Sequence, residues 1–316
     1  MKLQTIVDTK PSEWQAPIDA RWLLLGSCFS DEIGRKMDEH YLRVTSNPFG
    51  TLYNPLSIAQ ALQMTDMPEL VEYGGLWHAM SHHGSFSFAT REETERAVQQ
   101  SIETMQTALR EADVIVVTFG TAWVYEVKGE RLKVKGERIV GNCHKLPADC
   151  FTRRRLSVEE IIAAWQPILK QYQDKRWIFT VSPIRHIKDG LHENQLSKAT
   201  LLLAVEAVSR QLSANSQQLT ANSYFDSFEI LLDELRDYRF YTDDLVHPST
   251  MAVEYIWQRF AETYFSAETR KELSELHSLW LDRHHTLLHP DTPEAVAFQQ
   301  RLADKMQKLR QRYPWL

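Results

Sequence analysis

Five short apolar runs, separated by amphipathic helical patterns, constrain this chain more than any other feature. They fall at residues 22–25, 41–45, 114–119, 177–181 and 223–225. Mainly apolar runs rich in branched side chains suit parallel strands covered on both faces. Helical periodicity fills the gaps at 31–39, 55–63, 91–111, 157–173, 194–219 and 249–265. Pro55 suits a first helical turn, and Ser157 with Glu160 forms a capping-box pattern. Strands alternating with helices predict an α/β fold. The expected form is a three-layer α/β/α arrangement around a doubly wound parallel sheet, with five core strands in the order 2-1-3-4-5.

Two segments break the alternation. Residues 123–140 alternate apolar and polar around Lys-Gly-Glu turns at Gly129 and Gly136, which predicts a small antiparallel insertion. Residues 267–316 are helical, charged and proline-punctuated, and follow the last element the sheet needs. They read as a C-terminal extension to a domain spanning 1–266, either capping it or mediating homo-oligomer formation. The basic run Arg153-Arg154-Arg155 reads as a solvated helix start.

Charge and composition exclude some functions. The 316-residue chain carries a net charge of −6 without runs of like charge, so it lacks the basic face that nucleic acid requires. No apolar run approaches the roughly 20 residues of a membrane span, and the N-terminus lacks the pattern of a signal peptide. The three cysteines do not form a disulfide framework, so a reducing cytoplasm is expected. The histidines of 77–84 lack a partnered Cys or Glu at metal spacing. Neither a metal nor a cofactor is expected.

The chemistry-bearing residues follow from the fold class. In open α/β sheets, sites form at the carboxyl ends of the strands. The first strand ends at Gly26 and delivers Ser27 and Cys28 to a sharp turn before a helix. Asp243, Asp244 and His247 lie near the end of the domain. A nucleophile, a base and an orienting acid together suggest acyl transfer. Cys28 at a helix start is expected to have a lowered pKa, and Ser27 is the alternative nucleophile. Arg185 suits a carboxylate or phosphate on a substrate. His186, Asn194 and Lys198 belong to the same rim, and His83 and His144 are further candidates for lining the pocket.

Gly26-Ser-Cys-Phe-Ser30 resembles the motif that names the GSCFA domain family, which is grouped with the SGNH (GDSL-like) hydrolases. The blocks Asn47-Pro-Phe-Gly50, Asn142-Cys-His-Lys145, Ser182-Pro-Ile-Arg-His186, Asn194-Gln-Leu-Ser-Lys198 and His247-Pro248 are similar to that family's and occur in order. The resemblance covers about residues 15–265. It implies an esterase, acyl hydrolase or acyltransferase acting on a small-molecule or carbohydrate acyl ester. In that register Cys28 takes the nucleophile's place, and Asp244 rather than Asp243 orients His247. Oxyanion donors would come from the nucleophile's N–H, from Gly50 and from the block after the third strand. That block has Thr121 where SGNH enzymes have asparagine, leaving Thr121, Asn54 or Asn47 as substitutes. The departure keeps two alternatives open: a binding module that has lost hydrolysis, or a protein-interaction scaffold.

Overall fold

The computed structural model describes residues 4–128, 139–215 and 224–316, with backbone alone over 211–215. A parallel sheet is built from β1 (Arg21–Gly26), β2 (Arg43–Ser46), β5 (Val114–Phe119) and β8 (Arg176–Val181), in the order β2-β1-β5-β8. Trp22 pairs with both Val44 and Val114, and Val114 in turn with Arg176. This is the predicted order for the first four strands.

The fifth expected strand is reduced to one parallel bridge between Phe179 and Tyr224. Phe225 N–H donates to the Phe179 carbonyl at 2.8 Å. The chain then turns into α6 (Ser227–Glu229) and a π-helical turn at Ile230–Glu234, so pairing cannot propagate beyond Phe225. The sheet of the described residues therefore has four strands rather than five.

Period-2 alternation sorts the strand side chains between two cores. Leu23, Leu25, Ile115, Val117 and Phe179 face one side. There they meet α2 (Pro55–Gln63), α3 (Arg91–Glu111), α4 (Val158–Gln171) and α5 (Leu191–Asn215) through Leu62, Val98, Trp165 and Leu201. Trp22, Leu24, Val116 and Ile178 face the other side. There they meet α1 (Cys28–Glu39) and α7 (Thr250–Tyr264) through Phe29, Ile33, Ile256 and Phe260. Each large side chain so buried contributes roughly 1.5–3 kcal/mol. The capping box of α4 is present, with Ser157 and Glu160 each accepting the other's backbone N–H.

The insertion differs from its prediction. β6 (Trp123–Val127) pairs antiparallel with β7 (Phe151–Arg155), and Glu126 also bridges to Ile139. The turns expected at Gly129 and Gly136 lie outside the described residues. Arg153–155 is thus strand, not a helix start, because it pairs with residues 123–125 of β6, and the Arg153 guanidinium lies 4.0 Å from the Trp123 ring centroid. A second hairpin, β3 (Leu70–Tyr73) and β4 (Leu76–Ala79), was not predicted. Its turn uses Gly74 and Gly75, both at positive φ.

The C-terminal residues form α8 (Ala267–His284) and α9 (Pro293–Arg312), which meet through Leu276, Leu279, Leu309 and Tyr313. Trp315 Nε1 donates to the Tyr41 carbonyl at 2.9 Å, and His277 stacks on His40 at 4.5 Å. Both contacts tie the extension to the end of α1. No helix among the described residues is long and apolar enough to cross a membrane.

Candidate active site

The turn after β1 is fixed by a glycine that nothing else can replace. Gly26 sits at φ +128°, and a Cβ there would lie 2.1 Å from the Thr118 carbonyl oxygen. The close approach lets β1 and β5 end side by side. Gly26 N–H donates to Asn47 Oδ1 at 2.8 Å, and Asn47 Nδ2 donates to Asp31 at 2.7 Å. The Asn47 amide thus holds the turn through both its oxygen and its nitrogen, and Asn47 is not among the residues that line the cavity beside Cys28.

Ser27 and Cys28 part company at this turn. Ser27 is the N-cap of α1: its hydroxyl accepts the Phe29 N–H at 3.3 Å, and the residue is 1 % exposed. Cys28 is the first residue of the helix and is half-buried against a cavity of about 640 Å³. Its N–H stands in the first turn, where no intrahelical acceptor exists, and the Ser27 cap is occupied by Phe29 instead. The expected lowering of the thiol pKa does not occur. Burial pushes it up to about 11, Asp31 on the same helix adds to the rise, and its own backbone N–H and Lys198 only partly oppose them. The helix start does favour a thiolate, but desolvation is the larger effect here.

The other half of the site is a tight loop. Thr242 N–H donates to the His247 carbonyl at 2.9 Å, and Leu245 adopts φ +58° between them. Such a backbone is unusual for a branched side chain. It folds the loop so that Asp244 Oδ1 accepts from Thr242 Oγ1, Val246 N–H and His247 N–H at 2.7, 2.8 and 3.0 Å. Asp244 Oδ2 then meets His247 Nδ1 at 2.5 Å. The donors on His247, Thr242 and Val246 hold the Asp244 carboxyl well below its usual pKa, so it stays ionised. An ionised partner at Nδ1 fixes a proton there and leaves Nε2 as the basic nitrogen.

Cys28, Asp244 and His247 all line the one cavity. Among the described residues no hydrogen bond joins His247 to Cys28 or to Ser27. The other expected positions divide. Arg185 and His186 line the cavity. The Arg185 guanidinium lies 4.8 Å from the Tyr241 ring centroid and donates to the Leu245 carbonyl at 3.2 Å. His186 is pushed down to about 4 by burial, then by Lys198 and His247, so its imidazole is neutral.

Asn194, Lys198, His83 and His144 do not line the cavity. Asn194 Oδ1 accepts the His186 N–H at 2.9 Å and so fixes that loop from behind. Lys198 is 1 % exposed, with its ammonium on the carbonyls of Gly120 and Ser182. His83 caps a short 3-10 turn through Ser85 N–H. His144 is buried, with its Nε2 on the Ala79 carbonyl at 3.0 Å. These four lie outside the cavity lining, where a substrate contact was expected.

The oxyanion positions are also revised. Gly50 N–H already donates to the Asn47 carbonyl at 2.7 Å, which removes it as a donor. Thr121 lines the cavity, but its N–H donates to the Tyr53 carbonyl at 2.9 Å and its hydroxyl pairs with Ser197 at 3.1 Å. Asn54 lines the cavity while capping α2 through Ser57 N–H. Asn142, not singled out as a donor from sequence, lines the cavity with its Oδ1 taken by His144 N–H at 2.8 Å. Its side-chain NH₂ remains to donate. Tyr53, Trp123, Tyr125 and Arg153 also line the walls. The alternation within 123–127 signalled a strand there, but not that its aromatics would face the site. Among the described residues no cluster of three His, Cys, Asp or Glu side chains is spaced to hold a metal ion.

The sequence pattern of the GSCFA family matches residues 21–260, so the chain belongs to that family. No curated protein matches the chain, and no solved structure does.

Proposed function

For this member of the GSCFA family we propose acyl transfer of the SGNH type, with Cys28 as nucleophile, His247 as general base and Asp244 orienting the imidazole. The observation that carries the reading is that Cys28 and the hydrogen-bonded Asp244–His247 pair line the same cavity. Cys28 is preferred to Ser27 because the Ser27 hydroxyl is buried and used as a helix cap. Arg185 and the aromatic walls suit a small polar or carbohydrate acyl ester, and a cytoplasmic setting suits a reactive free thiol.

The chemistry follows from the protonation states. Cys28 is a thiol at neutral pH, so its proton must leave as the sulfur attacks. His247 Nε2 takes it while the C–S bond forms, and the Asp244 carboxylate stabilises the resulting imidazolium. The Cys28 N–H and the Asn142 NH₂ are the donors for the oxyanion, with the positive end of α1 behind them. Collapse breaks the ester C–O bond, and His247 returns its proton to the departing alkoxide. A water or acceptor alcohol then gives a proton to His247, attacks the thioester and releases the Cys28 sulfur, which regains that proton.

One observation favours the second reading, a binding module on the same fold. The N–H groups of Gly50 and Thr121 are both committed to backbone carbonyls, leaving a thin oxyanion site. Turnover of activated esters by wild type and by C28A, S27A and H247A separates the two. The acyl-transfer reading requires C28A and H247A to be inactive and S27A to retain activity. Unchanged rates in all three establish the binding module.

A further inference from the structure

The charges that line the cavity do not cancel. Arg153, Arg185 and Lys188 face it from the basic side, Asp189 and Asp244 from the acidic side. Arg153 is ion-paired with Asp189. Asp244 is engaged by His247 and by the Thr242 hydroxyl and the Val246 and His247 N–H groups of its own loop. Among the described residues neither Arg185 nor Lys188 has a carboxylate within ion-pair distance. Lys188 is exposed, so water screens it.

Arg185 is different, because it is partly buried and held from two sides. Its guanidinium lies 4.8 Å from the Tyr241 ring centroid, and Nη2 donates to the Leu245 carbonyl at 3.2 Å. A guanidinium carries five N–H donors. The Nε donor is buried without an acceptor, and in the next residue His186 Nε2 is buried and unpartnered as well. A neutral glutamine could donate to the Leu245 carbonyl equally, so the loop contact does not account for the charge. Asp244 adjoins Leu245 in the chain, yet its hydrogen bonds come from Thr242, Val246 and His247 and not from Arg185.

We propose that the ester taken by this cavity carries an anionic group, a carboxylate or a phosphate, and that Arg185 binds it. A guanidinium laid on an aromatic face offers its remaining N–H edge to two oxygens of such a group at once. Its tie to the Leu245 carbonyl puts the anion anchor and the Asp244–His247 pair on one loop, so binding at Arg185 registers the ester against the base. The cavity volume of about 640 Å³ suits a small ligand of this kind.

The proposal rests on the acyl-transfer reading of this cavity, but its test needs no turnover. Isothermal titration calorimetry is run with monomethyl succinate, methyl phosphate and the neutral dimethyl succinate, on wild type, R185Q and R185K. Wild type should bind at least one of the two anions about tenfold or more tighter than the neutral diester, and the tighter of the two assigns carboxylate or phosphate. R185Q should lose the preference, and R185K should keep part of it, having the charge without the fork. Neither anion preferred by wild type, or a preference that survives in a folded R185Q, overturns the proposal. A measurement on wild type alone decides the matter if R185Q does not fold. Modification of Arg185 by phenylglyoxal, followed by peptide mass spectrometry, should be slowed at least about fivefold by the saturating anion and left unchanged by dimethyl succinate. Equal modification with and without the anion overturns the proposal. The preference lost in R185Q, with no acyl group ever trapped on Cys28, would sink acyl transfer and leave the anion site standing. Acylated Cys28 without the preference would do the reverse.

Discussion

Replacing Asp244 by Asn tests the role of one oxygen atom. Three of the four hydrogen bonds that Asp244 accepts fall on Oδ1, and an asparagine carbonyl keeps all three. The fourth falls on Oδ2, where the NH₂ of asparagine would face His247 Nδ1. Two N–H groups cannot face each other at 2.5 Å, so the imidazole must change tautomer. The proton moves to Nε2, and the nitrogen that should receive the Cys28 proton becomes a donor. A wrong tautomer costs about 10⁴ in rate in a buried triad. Here the side chains of the pair are 48 % and 49 % exposed, water can assist the exchange, and a loss of about 10²–10⁴ is expected. Because the loop bonds survive, the melting temperature should stay within about 2 °C of wild type. The assay is pre-steady-state acylation by a p-nitrophenyl ester, with circular dichroism as the folding control. D244N acylating within threefold of wild type refutes the orienting role.

Other predictions follow from the same geometry. Gly26→Ala forces a Cβ to within 2.1 Å of the Thr118 carbonyl, and should cost about 3 kcal/mol or more in urea unfolding. Ser157→Ala removes one arm of the α4 capping box and should cost about 1 kcal/mol by the same measurement. His40 is pushed down to about 4, chiefly by burial, from an ordinary value of 6.5. The unfolded chain therefore binds the extra proton first, and stability falls as pH drops from 6.5 towards 4. The full window amounts to about 3 kcal/mol, read as a decline in melting temperature that H40Q should lessen. Asp31→Asn removes the charge that adds most to the burial-driven rise of the Cys28 thiol. It should speed Cys28 alkylation about two- to fivefold at pH 8.

The fold was legible where one local signal decided the outcome. Val114–Phe119 is apolar at every position but Thr118 and became a central strand buried along its whole length. Pro55 with Asn54, and Ser157 with Glu160, marked helix starts that formed as read. The signal failed where a tertiary contact decided. Arg153 to Arg155 carry no strand pattern by themselves, and β7 is defined by its pairing with the distant β6. The site divides in the same way. Strand ends and spacing single out Gly26, Ser27, Cys28, Asp243, Asp244 and His247, and the resemblance to the family narrows these to Cys28 and Asp244. The commitment of Gly50 and Thr121 to backbone carbonyls, and of the Asn47 amide to Gly26 and Asp31, depends on how distant turns meet, and single residues do not encode it. The raised Cys28 pKa is a further case: a helix start is visible in sequence, but the desolvation that outweighs it is not.

The measurement that bears most directly on the central claim is the location of a trapped acyl group. Wild-type protein and H247A are incubated with an activated acyl ester, quenched in acid within a turnover, digested, and mapped by tandem mass spectrometry. The account predicts a thioester on Cys28 in wild type, cleavable by hydroxylamine at neutral pH, with H247A acylated at least about 10²-fold more slowly. An acyl group on Ser27, or equal acylation of Cys28 in H247A, contradicts it.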